Sequence, residues 1–343
     1  MMKKKLTMLF AIFLIITVGS YGITVLANRD YTHTEQKQNQ IKIVTSFYPM
    51  YVLTANLIQG VDGISLVNLT ENQTGCLHDY QMTTQDMRKL AEADYFVMNG
   101  GGMESFVEDT LANYPTLKVI DASEGIQMLA DTTEHTHDHE TEVVEGEDHD
   151  HDEDDHDEDV ADHHDHDHGE YNAHVWMNMN DYLVQIDNVS KALSELDPAN
   201  QAVYEKNAKE YSQKVKAVQK EYQETLQAIK NQDIVIFHDA FAYLAQELGM
   251  NVVYTIEMET DTSLSAGEIK EIIDEVNTHD VRMLFTEEQF SDSIAKTIAT
   301  ETNAKVYVID SLVTGEYSLD AYLEGMRQNL QTLKTAINNL GLE

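Results

Sequence analysis

A stretch of the chain at residues 131–170 holds most of its histidines, side chains that can bind metal ions. Ten of the fifteen histidines and twenty Asp and Glu residues lie in it, and it contains no Lys or Arg. Imidazoles and carboxylates at this density are typical ligands of Zn²⁺ and its neighbours. A solvated acidic linker would explain the carboxylates but not the histidines. The histidines that we predict to make metal contacts here are His135, His137, His139, His149, His151, His156, His163, His164, His166 and His168.

The stretch 131–170 has no apolar period, so it cannot bury enough surface to offset the entropy of ordering. We therefore predict a disordered loop. Because such a loop has no fixed geometry, its metal sites should be weak and several, and a stronger, shaped site should lie elsewhere. Outside this loop and the N-terminal segment, the chain has four more histidines: His78, His174, His238 and His279.

Four residues are placed where a shaped site could form. His238 and Asp310 each come directly after an apolar run, and His78 lies in the loop after another. Ligands of open α/β sheets bind beyond the carboxyl ends of the strands. His174 lies where the acidic loop re-enters the fold, so each half of the chain supplies two of the four residues. A cleft between two lobes would bring them together, whereas His279 is predicted to be a surface residue.

Three of these four candidates also have a plainer explanation. His238 could be a satisfied core histidine, and His78 could be an ordinary surface loop residue. Asp310 could cap a helix, and its position alone favours that explanation. Cys76, two residues before His78, is predicted to be a small buried side chain rather than a ligand.

Two other groups of residues beside predicted strands are weaker candidates. Glu287 and Glu288 follow a strand and could support the ligands from outside, but we rank them below the histidines. Three glycines at 100–102 are typical of a turn at the end of a strand. They lack the spacing of a phosphate-binding loop, so the sequence carries no nucleotide signature.

Strands and helices alternate along the chain. Apolar runs predict four strands in each half, at 41–47, 64–69, 95–98, 117–120, 233–237, 252–256, 282–286 and 306–309. Segments with helical spacing separate the strands, and this alternation favours parallel α/β layers. A long polar helix over about 200–230 has sparse apolar positions, which favour a strut between two lobes over a core element.

Charge and cysteine content narrow the possible functions. The net charge is −39, of which the stretch 131–170 contributes −20, so the rest of the chain is acidic as well. An acidic surface suits cations and makes a nucleic-acid partner improbable. The single cysteine excludes an intrachain disulfide.

The N-terminus predicts export from the cytoplasm. A basic segment, 1–5, precedes an apolar run, 6–18, and Val25-Leu26-Ala27 resembles a cleavage site. We expect cleavage after Ala27, although the weak apolar character up to Leu26 leaves an uncleaved membrane anchor open. No cysteine follows the apolar run, which excludes the usual bacterial lipid attachment there. The predicted location is periplasm or cell surface.

The chain resembles the metal-binding component of bacterial zinc and manganese ABC importers, the cluster A-I solute-binding proteins. The resemblance covers about 41–343. The segments that carry it are VTSFYPMY (44–51), HDYQMTTQDMRKLAEADYFVMNGGGME (78–104), HVWMN (174–178), LDPANQAVYEKNAKEY (196–211), HDAFAYLAQELG (238–249), LFTEEQFSDSIAKTIATETN (284–303) and VYVIDSL (306–312).

The resemblance implies an α/β fold with two lobes, each with a parallel sheet, joined by one long rigid helix, and a metal site in the cleft between the lobes. It implies that His78, His174 and His238 are metal ligands and that Asp310 is the carboxylate ligand. Zinc members of the family often carry a His/Asp/Glu loop before the second ligand, where 131–170 lies. The chain departs from the family at GCLHDY, where relatives often have a proline before the histidine.

With this resemblance, the expected organisation can be stated for the whole chain. The predicted segments are a signal peptide (1–27), a flexible tether (28–40), an N-terminal lobe (41–196) that includes the loop 131–170, a linking helix (197–230) and a C-terminal lobe (231–343).

We predict an extracytoplasmic Zn²⁺-binding protein, not an enzyme, that acts as a monomer and delivers zinc to an ABC permease without contacting nucleic acid. A third imidazole favours Zn²⁺ over the harder Mn²⁺. The alternatives are a manganese or iron importer component, a surface protein that buffers metal or mediates adhesion, and a zinc hydrolase. The hydrolase is disfavoured because no HExxH pattern occurs.

Overall fold

The computed structural model describes residues 40–71, 77, 80–130, 171–256, 264–288 and 294–342. The predicted signal peptide and the loop at 131–170 lie outside these residues, and so do Cys76 and His78. Among the described residues, no helix combines the length and apolar character needed to cross a membrane.

Two parallel sheets form the centre of the two lobes. The strands are β1 (Ile41–Thr45), β2 (Ile64–Asn68), β3 (Tyr95–Met98), β4 (Lys118–Asp121), β5 (Leu129–Ala130), β6 (Tyr171–Asn172), β7 (Asp233–Ile236), β8 (Asn251–Thr255), β9 (Met283–Thr286) and β10 (Lys305–Val308). The first sheet has the order β2-β1-β3-β4 and the second β10-β9-β7-β8, and all their pairings are parallel. The predicted α/β fold with two parallel sheets is confirmed.

Helices connect the strands and pack on the sheets. They are α1 (Tyr48–Leu57), α2 (Thr84–Ala91), α3 (Ser105–Leu111), α4 (Met179–Leu196), α5 (Gln201–Thr225), α6 (Phe241–Leu248), α7 (Ala266–Thr278), α8 (Ile294–Glu301) and α9 (Ala321–Leu340). Local sequence sets several of their ends. Thr83 and Ser265 begin α2 and α7 with capping boxes, and Gly249 ends α6 in the left-handed conformation.

The long helix α5 is shorter than predicted, and one of its faces belongs to the core. A 3₁₀ turn, Leu226–Ile229, follows its last residue. The buried positions recur every three or four residues, at Tyr204, Ala208, Tyr211, Val215, Val218 and Tyr222. This face packs against α4, α1 and α9, so the helix contacts elements from both halves of the chain.

The expectation that the long helix is not a core element was therefore wrong. Its apolar positions looked sparse because three of them are tyrosines, whose rings can be buried if the hydroxyl finds a partner. The Tyr222 hydroxyl donates to the carbonyl of Met326 at 2.6 Å, and the hydroxyls of Tyr211 and Tyr182 lie 3.1 Å apart.

The strand register of the second sheet brings candidate residues to one edge. Ile236 on β7 lies opposite Phe285 on β9, and Thr286 lies opposite Val308 on β10. The three strands thus end at the same level. The residues that follow them, His238, Glu287 and Asp310, therefore share the carboxyl edge of the sheet, as parallel topology requires.

The turn after β3 contains a buried carboxylate that the sequence analysis missed. Gly100, Gly101 and Gly102 have φ values of 85°, 69° and 90°, which confirms the predicted strand-end turn. Glu104 closes it: Oε1 accepts the N–H of Asn99 at 2.7 Å and Oε2 accepts the N–H of Gly100 at 3.0 Å. Burial raises the pKa of the Glu104 carboxyl to about 7.

Substituting Glu104→Gln is expected to destabilise the fold most at low pH. At low pH wild-type Glu104 is protonated, and its hydroxyl oxygen can still accept from a backbone N–H. Gln places an NH₂ group there, which cannot accept, and an unsatisfied buried group costs about 1–3 kcal/mol. The folded-state pKa of Glu104 is raised, so its stabilising contribution is complete below the ordinary value of 4.5 and is lost as the pH rises through about 7. The difference in unfolding free energy should therefore fall by about 1.4 kcal/mol per pH unit between about pH 4.5 and 7 and should change sign within that window. Urea unfolding at several pH values measures it, and a constant difference would contradict the assignment.

Candidate metal site

His174 lies at the start of a short turn that follows the strand β6. Its side chain is fully buried. The strand ends at Asn172, and a 3₁₀ turn, Val175–Met177, begins directly after the histidine. The backbone N–H of His174 donates to Asn172 Oδ1 at 3.0 Å, and its Nδ1 lies 3.0 Å from the same oxygen.

These contacts determine where the His174 ring carries its proton. Asn172 Nδ2 donates to the carbonyl of Asp239 at 2.9 Å, so the other amide atom is the oxygen, which can only accept. Nδ1 of His174 is therefore the protonated nitrogen of the neutral ring. The lone pair is then on Nε2, the atom that can bind a metal.

His238 follows β7 and contacts two carboxylates. Its Nδ1 lies 3.2 Å from Glu287 Oε1, and its Nε2 lies 3.4 Å from Asp239 Oδ1. Only a small part of the His238 side chain, 12%, is exposed, and that of Glu287 is 7% exposed. Carboxylate oxygens therefore lie beside both ring nitrogens of His238, and the one beside Nδ1 is the nearer. Glu287, which the sequence analysis ranked low, thus touches a predicted ligand.

The two histidines, one before and one after the long helix α5, lie in contact. Their ring centroids lie 4.8 Å apart in an edge-to-face arrangement. With Asp239 they form a group in which one ligand atom from each residue lies within 4.8 Å of the others. Asp239 Oδ1 is also 3.3 Å from His174 Nδ1. Two imidazoles and a carboxylate at this separation could hold a divalent cation.

Asp310 lies at the same edge of the sheet but outside this group of three. Its Oδ1 accepts the N–H of Leu312 at 2.8 Å, an Asx-type turn, and its N–H donates to Asn329 at 2.9 Å. The next helix begins only at Ala321, so Asp310 is not a helix cap. The pKa of the Asp310 carboxyl is raised, chiefly by desolvation and further by the charges of Glu287 and Glu288. The hydrogen bond from the Leu312 N–H acts in the opposite direction.

The other predicted site residues have different outcomes. His78 and the ten histidines of 131–170 lie outside the described residues, so their places in the site stay predictions. His279 is 42% exposed and lies 3.4 Å from Glu275 on the same helix, which confirms the surface prediction. Asp239 was missed, although it directly follows His238 in the sequence. Looking for carboxylates beside each histidine would have found it.

Hydrogen bonds hold the strands β5 and β6, which flank 131–170, next to His174 and His238. Leu129 on β5 lies opposite Asn172 on β6 in an antiparallel pair. The hydroxyl of Tyr243, on α6, accepts the N–H of Leu129 at 3.0 Å and donates to the carbonyl of Asn172 at 2.7 Å. One side chain of the second lobe therefore holds both ends of the loop close to His174.

Comparison with known proteins identifies the family. A model of the family described as "Zinc-uptake complex component A periplasmic" matches residues 43–336. The chain belongs to this family. It is 29% identical over 310 residues to the high-affinity zinc uptake system protein ZnuA of Bacillus subtilis, covering 88% of this chain and 89% of that protein.

Two further proteins support this placement. The zinc uptake protein ZnuA of Brucella abortus is 33% identical over 281 residues, which cover 79% of this chain and 83% of that protein. The structure of Zn(II)-bound AdcA from Streptococcus pneumoniae matches with a TM-score of 0.66 and 25% identity. That match covers 87% of this chain but only 57% of the streptococcal protein. The predicted resemblance to zinc solute-binding proteins is confirmed.

Proposed function

We propose that the chain binds one Zn²⁺ in the cleft between its lobes and delivers it, outside the cytoplasm, to an ABC permease. The observation that carries this proposal is the contact between His174 and His238, which lie on either side of the long helix α5 in the sequence. Membership of a zinc-uptake family supports Zn²⁺ as the ion that this pair of histidines binds.

The proposed ligands are His78, His174, His238 and Asp310. Two features of the described residues support His174 and His238 as metal ligands. Each ring has an acceptor beside Nδ1, Asn172 for His174 and Glu287 for His238, so both can present Nε2 to a metal. Asp239 Oδ1 lies beside both rings and adds negative charge next to the cation.

The choice of zinc over manganese follows from the ligand types. Imidazole suits Zn²⁺, whereas Mn²⁺ prefers oxygen ligands. Calorimetry with a competing chelator measures the two affinities for the purified protein. Tighter binding of Mn²⁺ than of Zn²⁺ would overturn the choice of metal, and no tight binding of either would overturn the function.

The role that we propose for the His-rich loop is to gather cations near the cleft. Its charge of −20 and ten histidines suit weak capture, and its two ends are fastened beside His174. Deleting 132–169 is expected to reduce zinc uptake only when zinc is scarce and to leave the tight site intact. Uptake of ⁶⁵Zn in chelated medium measures this, with zinc-replete medium as the control. Unchanged uptake at scarce zinc would refute the role.

The remaining parts of the proposal concern partners and activity. We propose that the protein acts as a monomer, contacts the permease rather than nucleic acid, and catalyses no reaction. Its location is the periplasm or cell surface, where the N-terminal segment either is removed or tethers it. Hydrolysis of ester or peptide substrates by the zinc-loaded protein would revive the hydrolase alternative.

A further inference from the structure

Asn172 makes more contacts with the candidate site than any role as a strand residue requires. It is the last residue of β6, and its side chain is buried, with 4% of the residue exposed. Its Oδ1 faces two N–H groups of His174, from the backbone and from the ring, each at 3.0 Å. Its Nδ2 donates to the carbonyl of Asp239 at 2.9 Å.

These contacts join two distant parts of the chain at the histidine pair. Asn172 and His174 precede the long helix α5, and Asp239, the neighbour of His238, follows it. One amide group therefore holds the His174 ring and the backbone beside His238 at the same time. The Tyr243 hydroxyl, which donates to the Asn172 carbonyl at 2.7 Å, holds the Asn172 backbone in place.

We infer that Asn172 is a positioning residue that sets the His174 ring and the distance between His174 and His238 for a divalent cation. The inference rests on the proposed function. Asn172 itself binds no metal in this arrangement, because its oxygen and its nitrogen are both used by the protein. Groups that orient metal ligands in this way typically change metal affinity 10–100-fold when they are mutated.

An amide is suited to this position because it supplies both an acceptor and a donor. The oxygen accepts from His174, and the NH₂ group donates to the Asp239 carbonyl. An ionised aspartate would keep the first contact and place an oxygen against the carbonyl in the second. The variants Asn172→Asp and Asn172→Ala therefore separate the two functions of the side chain.

The first experiment needs no metal. In ¹⁵N-histidine NMR spectra of the metal-free protein, at a pH where histidines are neutral, His174 is identified by the signal lost in His174→Gln. The wild type should show a single tautomer with the proton on Nδ1. Because Asp239 Oδ1 also lies 3.3 Å from His174 Nδ1, the comparison is made in an Asp239→Ala background. In that background Asn172 and Asn172→Asp should keep this tautomer, and Asn172→Ala should show a mixture. An unchanged tautomer in Asp239→Ala/Asn172→Ala would overturn the positioning of the ring.

The second experiment tests the distance between the histidines. Both variants should bind Zn²⁺ about 10–100-fold more weakly than the wild type in chelator competition, and the visible absorption bands of bound Co²⁺ should change. Zinc affinity within about twofold of wild type, with unchanged Co²⁺ bands, would overturn the inference. If Asn172→Ala does not fold, Asn172→Asp decides this second point alone.

Asn207 provides a matched control. It is also a buried asparagine, and its Nδ2 donates to the carbonyls of Leu57 and Gln59 at 2.9 and 2.8 Å, with no contact to the histidine pair. Asn207→Ala should lose stability but keep the His174 tautomer, the zinc affinity and the Co²⁺ bands. If the wild type binds no zinc, the proposed function fails, while the metal-free tautomer measurement still decides whether Asn172 orients the ring.

Discussion

Replacing His174 or His238 by alanine should weaken Zn²⁺ binding about a hundredfold or more. Zinc bound by four protein ligands contributes about 10–16 kcal/mol, so one ligand accounts for about 3 kcal/mol, or about two powers of ten in affinity. The double variant should lose the tight site altogether, because two of the proposed donors are then absent. Isothermal calorimetry with a competing chelator measures both effects.

A loss of folding must be separated from a loss of ligands in this experiment. The His174 side chain is fully buried, so alanine leaves a cavity there. His174→Gln fills more of that space and should lose zinc affinity to a similar degree. Zinc should raise the unfolding temperature of the wild type much more than that of either variant, since only the wild type has the complete tight site.

His279 is the matched control for the histidine variants. It is 42% exposed at the end of α7, and its contacts are with Glu275 and Asp233. His279→Ala should bind zinc as the wild type does. The histidines of 131–170 remain present in every variant and should contribute weak binding only. Tight, stoichiometric zinc binding by the His174→Ala/His238→Ala double variant would show that the cleft is not the high-affinity site.

The strand-end positions of His238 and Asp310 were enough to predict that both residues lie at the carboxyl edge of one sheet. Parallel strands end at one edge of a sheet, and the apolar runs before these residues were clear. The register of β7, β9 and β10 does place both residues at that edge. The sequence could not say which donors come within reach of one another, because the distance between side chains depends on how the two lobes pack.

Asp239, Glu287 and Asn172 show the same limit. Each is polar and lies near a predicted ligand or strand end, but many such residues line any α/β sheet. What distinguishes these three is their contact with a histidine ring. The sequence places Asp239 next to His238 and Glu287 after a strand, but the contacts themselves depend on the fold. The prediction that the long helix α5 is not a core element was wrong for a related reason. Tyrosine counts weakly as an apolar residue in a pattern, yet Tyr204, Tyr211 and Tyr222 are core residues once the fold supplies hydroxyl partners.

Trp176 is expected to be the side chain whose loss costs the fold most near the site. It is fully buried, and its ring centroid lies 4.9 Å from that of Phe47 and 5.1 Å from that of His174. Its indole N–H donates to the carbonyl of Ser311 at 2.8 Å. Trp176 therefore packs against Phe47, which lies beyond the carboxyl end of β1 in the first sheet. Its hydrogen bond holds Ser311, the residue after Asp310, beside the second sheet.

Substituting Trp176→Ala should destabilise the protein by about 3–5 kcal/mol, because it creates a large cavity in the core. Trp176→Phe keeps an aromatic ring but leaves the Ser311 carbonyl without its donor, so a smaller loss of about 1–3 kcal/mol is expected. Urea unfolding followed by circular dichroism measures both, since the chain loses its only tryptophan. Tyr171→Ala, at a residue that is 48% exposed beside the same turn, is the control. It should change stability by no more than about 0.5 kcal/mol.

The phenylalanine variant also tests the place of Asp310 in the proposed site. If Asp310 binds zinc, losing the hydrogen bond that holds Ser311 should loosen Asp310, and zinc affinity should fall in Trp176→Phe together with stability. Asp310→Asn should then weaken zinc binding in the wild type and have a smaller effect in Trp176→Phe, because the two changes act on one ligand. Strictly additive losses would indicate that Trp176 supports the fold without acting through Asp310.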